Sequence, residues 1–435
     1  MMTIIESWRN RAFWFLDFLK GGKKRSHYDE IKFIINNASS SKAVELKREK
    51  LENLLEHAIT SVRFYKSYAD CKFLEEFPIV NKNIIRDNFE NFRSEKFLNK
   101  PKIKVSTSGS TGTPFSIYQD KNKRLRNIAD TIYFSEKAGY TLGNKLTYFR
   151  MWNAFEKKGK ISSFLQNITP VDVFELQKKE KMNSILKKVS KSTSSDSWLG
   201  YASAYESICN FLEDNQRTEI PNNLKSVIAI SESLSDYTKQ NIKKYFGTEV
   251  VSRYSNVENG IIAQQPLGNK TYFEINEASY FVEVLEIDSD TRVEDGKLGR
   301  IVITDLFNYS MPLIRYDTGD IGIKNQVCDK PIFTEIKGRK VDVIYNTKEE
   351  PVSVNLVLIV NKYPELKQCQ LIQVNKNIYT IKLNSNKPFF RENELLNEFK
   401  VYLGEDAIIT IEYVDEIPLL ASGKRRVMVN QMINQ

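Results

Sequence analysis

The spacing of apolar residues changes several times along the chain, and each change marks an element. Between positions 44 and 62, Leu51, Leu54, Leu55, Ala58, Ile59 and Val62 share one helical face. Leu125, Ile128, Ala129 and Ile132 repeat that spacing further on and predict a second amphipathic helix. A helix is expected over 204–214. Lys225-Ser226-Val227-Ile228-Ala229-Ile230 then reads as a buried strand, Ser235 as the cap of a helix reaching Phe246, and Val250, Val251 and Tyr254 as another strand. Further strands are expected at 280–287 and 300–304, and the run Ser192 to Ser197 reads as an ordinary polar loop. Alternation of strand and helix predicts an α/β sheet with ligand loops at the strand ends.

After Gly338 the pattern shortens. Leu371 to Val374 and Ile378 to Leu383 predict a hairpin around Asn375-Lys376-Asn377, followed by a helix near 392–402 and a strand at 408–413. This makes a small α+β module. The expected division is therefore a large domain over 1–337 and a small one over 338–435.

Composition narrows the chemistry. The chain has 435 residues, 41% of them hydrophobic, enough for a large core and two or three domains. Its formal charge of +9 comes from scattered lysine, and no continuous basic helix with interleaved aromatics suggests a nucleic-acid track. Cys71, Cys209, Cys328 and Cys369 are far apart and offer neither a disulfide framework nor zinc spacing. With only His27 and His57 present, catalysis built on a histidine base or a multi-histidine metal site is disfavoured. No signal peptide or 18-residue apolar run is visible, so a reducing, cytoplasmic setting is expected. Near the start, Trp8, Phe13, Trp14, Phe15, Leu16, Phe18 and Leu19 precede Lys20, Lys23, Lys24 and Arg25. Residues 8–25 read either as an interfacial helix making peripheral contact with the inner face of a membrane, or as a segment docked on the body.

One stretch stands out chemically. From Ser106 to Pro114 every residue is small, hydroxylic, glycine or proline, with apolar residues alternating in Ile103/Val105 before it and Phe115/Ile117 after it. Two short strands joined by a donor-rich loop are expected. Ser108, Gly109, Ser110, Thr111 and Gly112 can present backbone N–H and hydroxyl groups to phosphate oxygens. No Gly-Lys-Ser/Thr ends the loop, so it is not a Walker motif. Read alone, it is equally compatible with a flexible linker.

Four further motifs follow in order: Tyr254-Ser255-Asn256-Val257-Glu258, Arg315-Tyr316-Asp317-Thr318-Gly319-Asp320, Gly338-Arg339-Lys340-Val341-Asp342 and Ser422-Gly423-Lys424. With Phe77-Pro78-Ile79-Val80 and Gly200-Tyr201, the series resembles the AMP-forming acyl-activating superfamily, in its phenylacetate–CoA ligase-like, capsule-biosynthesis branch. The resemblance implies a large multi-layer α/β adenylate-forming domain and a small mobile α+β lid. It also implies ATP-dependent activation of a carboxylic acid as acyl-AMP with release of pyrophosphate. The acyl group would then pass to CoA, or to an amine or hydroxyl of a surface-polysaccharide precursor. A dedicated acyl- or aryl-CoA ligase and a catalytically silent nucleotide-binding partner of polysaccharide assembly are the alternatives.

Roles follow from the same resemblance. The loop from Ser108 to Gly112 would hold the ATP phosphates, and Glu258 would act as the Mg²⁺ ligand, an oxygen donor for an oxygen-seeking ion. Tyr254 would face adenine, Asp320 would accept the ribose hydroxyls, and Arg339 would reinforce ribose or phosphate contacts. Ser231 and Glu232 occupy the adenine-side loop. Lys424 would bridge the carboxylate and α-phosphate oxygens as charge develops. Independently of the resemblance, Trp152, Phe155, Trp198 and Tyr201 are candidates to line the acid pocket, with core packing the expected role for most of these aromatics. Ser255, Val257 and Val341 depart from the family's usual glycine, hydroxyl and polar residues, and the segment Asn346 to Pro351 lacks the usual glycine. That segment shapes the pantetheine path in CoA ligases, so the sequence favours adenylation over transfer to CoA.

Overall fold

The structure is a computed structural model that describes residues 3–106, 115–150, 152, 160–231, 234, 236–268, 270–286, 289–337, 344–349, 363, 365–385, 389–415, 417 and 428–432. The chain divides into two compact units, one of Met1–Val105 with Ile117–Lys337, the other of Ser106–Ser116 with Gly338–Gln435.

The strands, in chain order, begin with β1 (Lys102–Ser106), β2 (Ser116–Asp120), β3 (Lys145–Arg150), β4 (Ile168–Asp172), β5 (Asp196–Tyr201) and β6 (Leu224–Ile230). Next come β7 (Val250–Asn256), β8 (Gly260–Gln264), β9 (Phe273–Ile275), β10 (Tyr280–Leu285), β11 (Leu298–Asp305), β12 (Tyr316–Val327) and β13 (Lys330–Lys337). The last four are β14 (Leu366–Asn375), β15 (Ile378–Ser385), β16 (Ile408–Tyr413) and β17 (Met428–Asn430). Among the described residues, eleven form one sheet in the order β10-β11-β12-β13-β9-β8-β7-β6-β5-β3-β4. From β4 to β7 neighbouring strands run parallel. Beyond β7 they run antiparallel.

Helices cover the parallel half, as its two-sided apolar strands require. Helices Lys179–Ser190, Ala202–Asp214 and Asp236–Phe246 supply Met182, Tyr205, Ile208 and Phe246 to a core centred on Trp198. Trp198 stacks on Tyr205 with ring centroids 6.0 Å apart and meets Phe246 edge-on. It is therefore core rather than pocket lining. Gly200 lets β5 lie close to β3, since a Cβ there would sit 2.6 Å from that of Phe149. A separate cluster joins helix Lys23–Asn36 to helix Lys121–Lys137 through Ile31, Ile34, Ile35, Ala129 and Tyr133.

The polar-loop expectation for Ser192 to Ser197 fails at its end. Asp196 and Ser197 open β5 and are buried. Asp196 accepts from Lys145 Nζ at 2.9 Å and Thr147 Oγ1 at 3.1 Å, so its cost of burial is met by the neighbouring strand. Local polarity could not reveal those partners.

In the smaller unit, four strands pair in the order β16-β15-β14-β17. The expected hairpin is β14–β15, and helix Glu392–Leu403 sets Leu395, Phe399 and Leu403 against Tyr379, Ile381 and Leu383. The architecture is mixed α/β, a large N-terminal part with a small C-terminal one.

Candidate functional site

The chain that approaches the site runs through Phe77 and Val80, both buried. Val80 forms an isolated parallel bridge with Tyr316, accepting from Asp317 N at 2.8 Å and donating its own N–H to Arg315 O at 3.1 Å. Asn81 then caps helix Lys82–Asp87, its side-chain oxygen accepting from Asn83 N and Ile84 N. That bridge and cap bring Lys82 onto the start of β12.

Opposite lies the β7–β8 hairpin with Glu258 in its turn. Gln119 Nε2 donates to the Glu258 carbonyl at 2.9 Å, and Asn256 Oδ1 accepts from Asn259 N at 2.8 Å, so the turn is fixed from both sides. The Glu258 side chain is 2% exposed. Its Oε1 lies 2.8 Å from Lys82 Nζ and accepts from Tyr316 OH at 2.7 Å. Its Oε2, also buried, has no hydrogen-bond partner among the described residues. Burial by itself raises the Glu258 pKa, but the Lys82 ammonium and the hydrogen bonds from Lys82 and Tyr316 outweigh it and hold the carboxyl below its ordinary range. Glu258 is thus kept ionised with one oxygen that no described residue uses. A hard cation bound through one carboxylate, with water and phosphate completing its shell, fits that donor set.

Tyr254 and Asp320 also meet. Tyr254 OH donates to Asp320 Oδ2 at 2.8 Å and contacts Thr318 Oγ1 at 3.4 Å. Burial, followed by the negative Asp320, pushes the tyrosine pKa up, so the phenol stays protonated and donating. The bond orients the carboxylate and occupies one of its about four acceptor positions. Phe333 meets the Tyr254 ring edge-on, with centroids 6.4 Å apart. Ser231 follows directly on β6 and has φ 70°, a left-handed conformation uncommon for a residue with a Cβ. Because Ile230 pairs with Arg253, Ser231 stands at the end of β6 beside Tyr254, at the C-terminal edge of the parallel strands.

Arg315, in the same motif, belongs to the scaffold. Its guanidinium grips both Glu283 oxygens at 3.1 and 3.2 Å and donates to the Glu75 and Phe77 carbonyls. Ser108, Gly109, Ser110, Thr111, Gly112, Glu232, Arg339 and Lys424 lie outside the described residues, as does Phe155. The flanks of the loop are β1 and β2, which pair, with Ser106 Oγ and Ser116 Oγ 2.7 Å apart. Trp152 is 9% exposed against Tyr148, and Tyr201 packs partly buried on the Trp198 core.

Sequence reasoning missed Lys82 and gave Tyr316 no role. Lys82 is one of many lysines, and its only local signal is its place four residues after Pro78, in the first turn of a capped helix. A separate cavity of about 460 Å³, lined in part by Leu51, Phe281, Leu306, Lys47, Arg292 and Lys324, includes none of Tyr254, Glu258 or Asp320.

Known proteins with this sequence and shape agree with one another. Residues 344–431 match the CapK C-terminal domain family. Over 441 aligned residues the chain is 23% identical to Protein CapK of Staphylococcus aureus, covering 95% of this chain and 94% of that one. A crystal structure of 2-hydroxyisobutyryl-CoA ligase in an open conformation, in complex with 2-HIB-AMP and CoA, superposes with a TM-score of 0.56 at 15% identity, covering 90% of this chain and 92% of that chain. The same enzyme in its thioesterification state gives 0.58 at 14% identity, with 91% of each chain covered. The chain is thus similar over nearly its whole length to Protein CapK, matches the CapK C-terminal domain family over residues 344–431, and shares the fold of 2-hydroxyisobutyryl-CoA ligase.

Proposed function

We propose that this protein activates a carboxylic acid with ATP. A carboxylate oxygen attacks the α-phosphorus, pyrophosphate leaves, and an acyl-adenylate remains. An acceptor then attacks the acyl carbon and AMP departs. The observation that carries this reading is Glu258: a buried carboxylate, ionised by Lys82 and Tyr316, whose second oxygen no described residue uses. Glu258 would hold Mg²⁺, which would neutralise part of the phosphate charge.

The chain's own residues have separable tasks. Lys82 and Tyr316 keep Glu258 charged and in one rotamer. Asp320, oriented by Tyr254, accepts the ribose hydroxyls. Ser231 and Glu232 flank adenine, and the loop from Ser108 to Gly112 takes the phosphates. Arg339 supports ribose or phosphate, and Lys424 offsets the charge that gathers between carboxylate and α-phosphate. The capsule-branch resemblance and the altered segment Asn346 to Pro351 favour an amine or hydroxyl of a surface-polysaccharide precursor as acceptor. The CoA bound in 2-hydroxyisobutyryl-CoA ligase favours a thiol.

The test is exchange of labelled pyrophosphate into ATP across a panel of carboxylic acids with Mg²⁺ present. Acid-dependent exchange, abolished by Glu258→Gln, is the expected result. ATP binding without exchange for any acid would leave a silent nucleotide-binding partner as the reading. Supplying acyl-adenylate with CoA or with amino and hydroxyl sugars then identifies the acceptor.

A further inference from the structure

Helix α1 (Ile4–Leu19) turns its apolar side outward. An ordinary surface helix buries its apolar stripe and solvates its charges. Here Glu6 and Asp17 are the buried residues, whereas Trp8, Phe15 and Phe18 are 69%, 60% and 73% exposed. Ile4, Leu16 and Leu19 are exposed with them. On a helical projection these six occupy an arc of about 160°, interrupted by Arg11 as its one charged residue.

The side that docks carries Glu6, Asn10 and Asp17, with Trp14 meeting Tyr28 edge-on at 5.7 Å between ring centroids. Asn10 Nδ2 donates to Leu142 O at 2.9 Å, and Gly143 admits the helix because a Cβ there would collide with the Glu6 carbonyl. Thr3 and Glu6 close a reciprocal cap at the helix start. At its end, Asp17 accepts from Lys24 N and Arg25 N, tying α1 to helix α2 (Lys23–Asn36). The outward face is therefore held rigidly. It continues into Phe164 and Leu165, 72% and 67% exposed, with the Arg9 guanidinium 5.4 Å from the Phe164 ring centre.

We propose that α1 lies flat on an anionic lipid surface, its apolar face in the acyl–headgroup boundary. Charge selects this occupant. Between residues 3 and 25 the acids are Glu6 and Asp17, both buried; Lys24 pairs with Asp17 and Arg25 with Asp29, so the net outward charge comes from Arg9, Arg11, Lys20 and Lys23. Aromatic residues beside lysine and arginine suit an interface lined with lipid phosphates. A second copy seated on the same face would bring two such basic rims together. At 16 residues α1 is about 24 Å long, short of a hydrocarbon core, and no helix among the described residues is long and apolar enough to cross a membrane. The inference is independent of the proposed chemistry.

Co-sedimentation of the full chain with vesicles tests it. Vesicles containing phosphatidylglycerol should bind the protein and pure phosphatidylcholine should bind it at least about tenfold more weakly, a difference that shrinks as salt approaches about 0.5 M. The double change Trp8→Asp with Phe15→Asp should reduce binding at least about tenfold while leaving the thermal midpoint unchanged, because both side chains already face solvent. Arg11→Gln, Lys20→Gln and Lys23→Gln together should remove the preference for anionic lipid. Brominated acyl chains should quench fluorescence in the wild type and lose that effect with Trp8→Phe. The proposal is overturned if the wild type fails to sediment with anionic vesicles at low salt, or if the aspartate variant binds as well. A dimer that the aspartate variant dissociates, without vesicle binding, would reassign the face to a second copy and overturn it equally.

Discussion

Two buried carboxylate clusters in the larger unit use the same residue types and differ in how fully they are satisfied. Around Arg126, each buried charge faces an opposite charge. Its guanidinium donates to Ser279 Oγ, Glu30 Oε1 and Ala278 O and lies 4.0 Å from the Phe307 ring centre. Ser279 Oγ donates a hydrogen bond to Asp130, and Lys123 Nζ sits 2.7 Å from Asp305, all four side chains being buried. Burial dominates there and raises the Asp130 and Asp305 pKa values against their basic neighbours. Around Glu258 the balance tips the other way: Lys82 and the hydrogen bonds win over burial, and one oxygen has neither a hydrogen bond nor an ion pair among the described residues. A saturated ionic cluster is a joint between elements. An ionised carboxylate with an oxygen to spare, at the end of parallel strands, is poised for a ligand.

The comparison breaks if the two clusters respond alike to substitution. Arg126→Met should cost most, about 3–5 kcal/mol of stability, because it strands Asp130 in a dry site. Denaturant unfolding measures that loss, and exchange activity per folded molecule should be unchanged. Glu258→Gln and Lys424→Ala should instead leave the unfolding midpoint nearly unmoved and lower turnover by roughly 10²–10³. Single-turnover rates separate them further: Lys424→Ala should spare acyl transfer from synthetic acyl-adenylate, and equal impairment of both half-reactions would make Lys424 structural.

Asp320→Ala should weaken ATP binding tenfold or more, by roughly 1.5–3 kcal/mol, through loss of charge-assisted ribose contacts. Calorimetry with unchanged affinity would remove Asp320 from the site. Tyr254→Phe should show a smaller part of the same loss, since it removes the bond that aims Asp320.

The smallest effect is one of pH. Glu258 has a lowered pKa in the folded state, so its stabilisation is present above the unfolded carboxyl pKa of about 4.3 and is lost as pH falls through the lower folded value. Asp130 and Asp305, raised on folding, act with the opposite sign and favour the fold on acidification. Lys82→Met removes the main opponent of Glu258 burial, so thermal midpoints between about pH 3 and pH 6 should lose the acid-side decline that Glu258 contributes. An identical pH profile in wild type and Lys82→Met would mean that the pair does not set the charge of Glu258.

Periodicity is a local property, and where an element owes its existence to local spacing it was readable in the chain. The strand expected at 408–413 is Ile408–Tyr413, and the helix expected near 392–402 is Glu392–Leu403. The buried strand ending at Ile230 and the strand from Val250 to Tyr254 are β6 and β7. The order of the loop, Glu258, Asp320 and Lys424 resembles that of the acyl-activating superfamily, and the expected phosphate, metal and ribose contacts come from that resemblance rather than from local spacing.

What only the tertiary structure decided is which groups share a dry space. Lys82 meets Glu258 because Val80 bridges Tyr316, a pairing between distant segments that leaves no trace in either. Asp196 can begin a buried strand because Lys145 and Thr147 stand beside it. The aromatic stripe of α1 announced an amphipathic helix, but not which side would face outward. That depended on Leu142 and Gly143 receiving its polar edge. In each case burial of a charge is tolerated or ruinous according to its partners, and partners are assigned by folding rather than by neighbours in the chain.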